Sequence, residues 1–88
     1  MDEKQFRQTL SDEGFPDPVQ VTWEAGKDNP NHAHDFYARG LVLSGEMTLG
    51  TADEVRHLKT GDNFSMRAGI PHWEKVGDAP VDLLVSRK

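Results

Sequence analysis

Four histidines, His32, His34, His57 and His72, are the side chains best suited to coordinate a transition metal, and no cysteine accompanies them. A neutral imidazole offers one nitrogen lone pair near neutral pH and suits borderline divalent ions. The absence of thiols removes disulfides, thiolate metal sites and a thiol nucleophile. His32 and His34 are two residues apart, and in extended chain such a pair leaves on one face. Alone, a His-x-His pair after Asn29-Pro30-Asn31 is more often two solvated loop histidines. His72 changes that weighing. It follows the rigid turn Gly69-Ile70-Pro71 and opens a further extended stretch. The residues between His34 and His72 carry the alternation and turns of a meander returning to the first strand, where a third ligand would close a facial site with open positions. His57 precedes Leu58, and with Leu58 facing the core it points outward. Asp35 is out of phase with His32 and His34, which fits solvation or support of a ligand better than ligation.

The elements that would position these groups are mostly strands. A short helix is expected at the start: Phe6 and Leu10 share a face, Asp2 and Glu3 favour the N-terminal end, and Gly14 can close the C-terminal end. So short a helix must dock on the remainder of the chain to persist. Pro16-Asp17-Pro18 ends it. Val19, Val21 and Trp23 then alternate with Gln20, Thr22 and Glu24, the period of a half-buried strand. Residues 26–31 read as a turn-rich loop. Strands are expected over about 36–44, 46–50, 55–58, 63–67, 70–76 and 81–85, separated by turns at Gly45, Ala52-Asp53, Gly61-Asp62, Ala68-Gly69 and residues 77–80. Short strands at this spacing imply an all-β sandwich or barrel over 19–86, with residues 1–14 docked on it as one domain. Leu41-Val42-Leu43 is apolar on both faces, so its outer side needs a cover, from the helix or a second subunit. Exposed strand edges also need protection, and a homodimer is expected.

Bulk properties narrow the partners. A chain of 88 residues builds one core, and a bound metal or a subunit interface would help so small a domain. Hydrophobic residues at 35% and charged residues at 28% fit a globular protein rather than a disordered one. The formal charge is −5 and the basic residues are scattered, so neither nucleic acid nor anionic membrane is expected as a partner. No apolar run is long enough to span a bilayer, and Met1-Asp2-Glu3-Lys4-Gln5 lacks the layout of a signal peptide, which makes the cytoplasm the default expectation. No G-x-S-x-G elbow and no Gly-rich phosphate loop is present.

Two segments resemble the paired motifs of the cupin superfamily. Gly26, His32, His34 and Gly45 match the first, commonly G-x5-H-x-H-x3/4-E-x6-G. Gly61, Gly69 and His72 match the second, G-x5-P-x-G-x2-H-x3-N. Together the motifs cover about half the chain, and the rest reads as the extra strands of a small jelly-roll barrel. The resemblance implies that His32, His34 and His72 hold one divalent transition metal, with Fe, Mn, Zn and Ni all open. Three positions of the pattern are not met. The family glutamate falls on Ala38 in the shorter spacing and on Arg39 in the longer, Arg67 replaces the proline, and Val76 stands where asparagine is common. A site of imidazoles alone has no ligand charge to offset the ion, so it should hold metal more weakly and favour an anionic exogenous ligand. Three-histidine iron sites occur among cupin-like thiol dioxygenases.

Glu74 offers a substitute for the missing acid. It lies two residues after His72, so in a regular strand both point the same way, and it is the candidate fourth ligand or acid/base group. The competing expectation sets Glu74 at the barrel mouth, paired with a lysine or arginine. Phe36 and Ala38 follow His34 in phase, and they are expected to line a substrate pocket with Met66 and Trp73. Trp23 is expected to be core. Three functions fit: a metal-dependent enzyme of dioxygenase or isomerase type acting on a small polar or anionic molecule, a non-enzymatic small-molecule sensing or binding module, and a structural barrel with an empty site.

Overall fold

A computed structural model describes residues 1–88 as one helix and eight strands in two antiparallel sheets. Helix α1 (Glu3–Asp12) starts at Asp2, whose carboxylate accepts from the Gln5 N–H at 2.8 Å while the Gln5 side chain accepts from the Asp2 N–H at 2.9 Å. This capping box satisfies two donors that the first turn would otherwise leave open. The strands are β1 (Val19–Trp23), β2 (Asp28–His32), β3 (Ala38–Ser44), β4 (Glu46–Gly50), β5 (Val55–Lys59), β6 (Asn63–Met66), β7 (His72–Val76) and β8 (Val81–Arg87). One sheet has the order β1-β8-β3-β6 and the other β2-β7-β4-β5. That is a small jelly-roll barrel.

Side-chain alternation sorts the apolar residues into two clusters. Inward-facing Val42, Met47, Leu58, Val76, Val81 and Leu83 fill one end of the space between the sheets. On the outer side of the first sheet, Leu41 and Leu84 pack against Phe6, Leu10 and Phe15, with Tyr37 and Leu43 at the margin. The two-sided apolar character of Leu41-Val42-Leu43 is thereby explained, and the helix supplies its cover. Burying side chains of this size stabilises by about 1.5–3 kcal/mol each, which offsets the poor intrinsic stability of a ten-residue helix.

The structure departs from the sequence expectation over residues 26–31. The stretch read as a loop contains β2, an edge strand paired with β7 through Asp28↔Lys75, Asn29↔Glu74 and His32↔His72. Asp28-Asn29-Pro30-Asn31 has no apolar alternation because the strand buries no hydrophobic face. Pro30 is tolerated because an edge position leaves one row of N–H groups unpaired, and the register shifts between Asn29 and His32. In the following strand, β3 begins at Ala38 rather than Phe36. His32 therefore closes β2, and His34 sits in the connection to β3.

Candidate metal centre

His32 and His72 are brought together by backbone pairing, as the final partners of the β2–β7 ladder. His34 reaches them from the β2–β3 connection, which is held by the Gly69 N–H donating to the His34 carbonyl at 2.8 Å. Gly69 has φ +80°, a conformation that costs an L-residue about 1–2 kcal/mol. The turn before His72 thus also fixes the segment carrying His34. The ligand nitrogens of His32, His34 and His72 all lie within 4.8 Å of one another, so these three imidazoles form a group able to hold a metal ion.

Two hydrogen bonds set the ring orientations. His32 Nδ1 lies 2.7 Å from the Pro30 carbonyl and His72 Nδ1 lies 2.9 Å from the Ile70 carbonyl. A carbonyl only accepts, so each Nδ1 carries the proton and each Nε2 keeps its lone pair for a metal. His34 has its pKa pushed below the ordinary imidazole value, first by burial and then by repulsion from charge on His32 and His72; Glu74 opposes the shift and Arg87 adds to it. The neutral form required of a ligand is therefore favoured.

Glu74 lies on the same face of β7 as His72 and is 7% exposed. Its Oε1 stands 3.6 Å from His32 Nε2 and accepts from Asn29 Nδ2 at 3.3 Å. No lysine or arginine pairs with it, contrary to the competing expectation for this residue. A buried carboxylate without a permanent cation nearby is costly, and a divalent ion among the neighbouring imidazoles would supply the missing charge. The donor set therefore fits a metal.

His34, His72 and Glu74 line a cavity of about 440 Å³, with the His32 ring beside them, 4.7 Å from that of His34 and 4.3 Å from that of His72. Phe36, Ala38 and Met66 line it, with Phe36 stacked 4.5 Å from the His34 ring. Trp73 does not line it. Alternation on β7 turns Trp73 to the outer face of its sheet, opposite His72 and Glu74, where its ring lies over Gly50. Any Cβ at Gly50 would collide with that ring. Trp23, expected in the core, packs against it and also borders the cavity. Arg87 was missed by sequence reasoning. It lines the cavity, and its signal was the inward alternation Val81, Leu83, Val85, Arg87 along β8. His57 is exposed and pairs with Glu46 at 3.2 Å, the surface role expected of it, and Asp35 is exposed outside the cluster.

The family model described as "Cupin domain" matches residues 19–86. This chain belongs to the cupin family. Among solved structures, the cupin resembles the DMSP lyase DddQ from Ruegeria pomeroyi with a TM-score of 0.71 and 28% identity, over 78% of this chain and 36% of that one. A conserved protein of unknown function from Streptococcus pyogenes matches at TM-score 0.67 and 27% identity, over 83% and 66% of the two chains. An oxalate oxidase matches at TM-score 0.66 and 25% identity, over 80% and 40%. The cupin thus spans little more than a third of the length of the lyase it resembles. Curated protein sequences yielded no match.

The cupin's departures from the family motif now have positions. Ala38 faces inward in register with Met66 and Arg87, so the shorter motif spacing is the one that points at the site. Arg39 faces the helix side and pairs with Glu13 at 3.5 Å. Glu74, on the other sheet, is a buried carboxylate lining the same cavity as Ala38.

Proposed function

We propose that this cupin holds one divalent transition metal ion on Nε2 of His32, His34 and His72, with Glu74 as the fourth, anionic donor. A small polar or anionic molecule would reach the ion through the cavity. The observation that carries this reading is the convergence of three imidazole nitrogens within 4.8 Å at that cavity, beside a buried carboxylate. When bound, such an ion polarises an oxygen of its ligand or makes a bound water more acidic. The chain's own groups do the rest: Pro30 and Ile70 orient two imidazoles, and the apolar wall excludes water. Similarity to proteins named as a lyase and an oxalate oxidase supports turnover. A binding or sensing module without turnover is the second reading, favoured by the match to only 36% and 40% of those chains.

Elemental analysis and calorimetric titration with Zn²⁺, Ni²⁺ and Mn²⁺, and with Fe²⁺ under anaerobic conditions, test the site. Stoichiometric binding is expected, with loss in His72→Ala. In Glu74→Gln, affinity should fall by about 10–100-fold. No binding by the wild type overturns the metal reading and leaves a structural barrel; unchanged affinity in Glu74→Gln removes the fourth donor. We also propose a homodimer, supported by the open edges of β1, β2, β5 and β6. Light scattering at micromolar concentration should give twice the chain mass, and a clean monomer overturns it.

A further inference from the structure

We propose that the molecule admitted by this cavity is an amphipathic monocarboxylate, an acid with an aliphatic or phenyl body, and that Arg87 at the mouth holds its carboxylate. This rests on the reading of the cavity as a ligand site and names the ligand class.

The wall sets the body of the ligand. Nine of the sixteen lining residues are hydrophobic, among them Val21, Trp23, Phe36, Phe64, Met66 and Val85. A polyol or sugar needs hydrogen-bond partners along its length, and desolvating hydroxyls against such a wall is unfavourable. The polar groups of the lining are few. His34, His72 and Glu74 form the metal end, while Asp17, Ser86 and Arg87 belong to the segment leading into β1 and the end of β8. The Ser86 hydroxyl is already committed, donating to the Pro16 carbonyl at 2.7 Å.

Arg87 supplies the charge. It lies on the inward row Met66, Ala38, Arg87 that crosses β6, β3 and β8. It takes part in none of the ion pairs of the chain, whereas Arg7 pairs with Glu3 and Arg39 with Glu13. Its guanidinium rests 5.0 Å from the Phe36 ring centre. Stacking of that kind leaves the planar edge free to donate two parallel hydrogen bonds, the geometry a carboxylate accepts. Asp17 and Glu74 are the acids of the cavity; neither forms an ion pair with Arg87, and Glu74 already accepts from Asn29.

The test uses octanoate, octanamide, octylammonium and gluconate as probes, titrated calorimetrically into the protein as purified and after chelation of metal. Octanoate should bind the chelated protein more tightly than the other three. Arg87→Gln should weaken octanoate by about tenfold, the loss expected for one charge-assisted pair at an exposed site, and leave octanamide unchanged. Arg87→Lys should recover part of the loss. Circular dichroism of both variants should match the wild type, because Arg87 is exposed at a strand end. Equal binding of octanoate and octanamide, preference for octylammonium or gluconate, no octanoate binding, or indifference to Arg87→Gln would each overturn the proposal. Metal uptake, measured separately, distinguishes the two readings. Acid binding that survives without metal uptake overturns the metal site alone, and metal uptake without acid binding overturns the ligand class alone.

Discussion

Individual residues in this domain work through the partner that each is given. The imidazoles of His32 and His72 are ligands-in-waiting because a backbone carbonyl two residues earlier accepts a hydrogen bond from the Nδ1–H of each, leaving Nε2 free. Asp82 shows the same dependence in a structural role. From β8 its carboxylate accepts from Thr22 Oγ1 on β1 at 2.6 Å and from Ser44 Oγ on β3 at 2.8 Å, tying three strands together. Those two hydrogen bonds hold its pKa below the ordinary carboxylate value. A group with a depressed folded-state pKa contributes its stability above the unfolded value, and loses it as pH falls toward the folded one. The domain should therefore weaken as pH drops below the ordinary Asp value of 3.8. In Asp82→Asn that part of the pH dependence should flatten. Urea midpoints measured from about pH 5 to about pH 2.5 check this, and parallel curves for the two proteins would count against it.

Among the elements, legibility followed the presence of a buried apolar face. Strands β4 and β5 were expected at 46–50 and 55–58 and are found at Glu46–Gly50 and Val55–Lys59, because Met47, Leu49 and Leu58 point into the core. Strand β2 has no such face, and pairing with β7 alone makes it extended. Helix α1 was legible from Phe6 and Leu10 and from the turn chemistry beyond them, whereas the surface that receives it required the sheet. Leu10→Ala should cost about 2–5 kcal/mol in denaturant unfolding, since Leu10 is 2% exposed against Leu41 and Leu84. The helix packs on the outer side of the first sheet, so the metal affinity of the folded variant should equal that of the wild type. A large change in affinity would mean that the helix and the site are coupled through β3.

At the scale of the whole molecule, the barrel separates a filled end from an open one. Apolar side chains from both sheets complete the first, and the histidines, Glu74 and Arg87 belong to the second. A metal that binds the folded chain and not the unfolded one adds about 2.7 kcal/mol at a hundredfold excess over its Kd. In a domain of this size that corresponds to a rise in Tm of roughly 10–20 °C. Thermal melts with and without chelator should show this rise in the wild type, and His72→Ala should abolish it. An unchanged wild-type Tm at saturating metal would contradict a site built from two chain segments distant in sequence.

Read alone, the residues determined the all-β class, the docked helix, and the three histidines with Glu74 as candidates, because spacing and alternation are local properties that survive without coordinates. They placed Phe36, Ala38 and Met66 at the pocket for the same reason. Only the tertiary structure decided that Asn29 reaches Glu74, that Trp73 lies outside while Trp23 borders the cavity, and that Arg87 stands unpaired on its wall. Each of those depends on which strands become neighbours across a sheet or between sheets. Pairing between residues distant in sequence is set by closure of the whole barrel, and no window of the chain contains it.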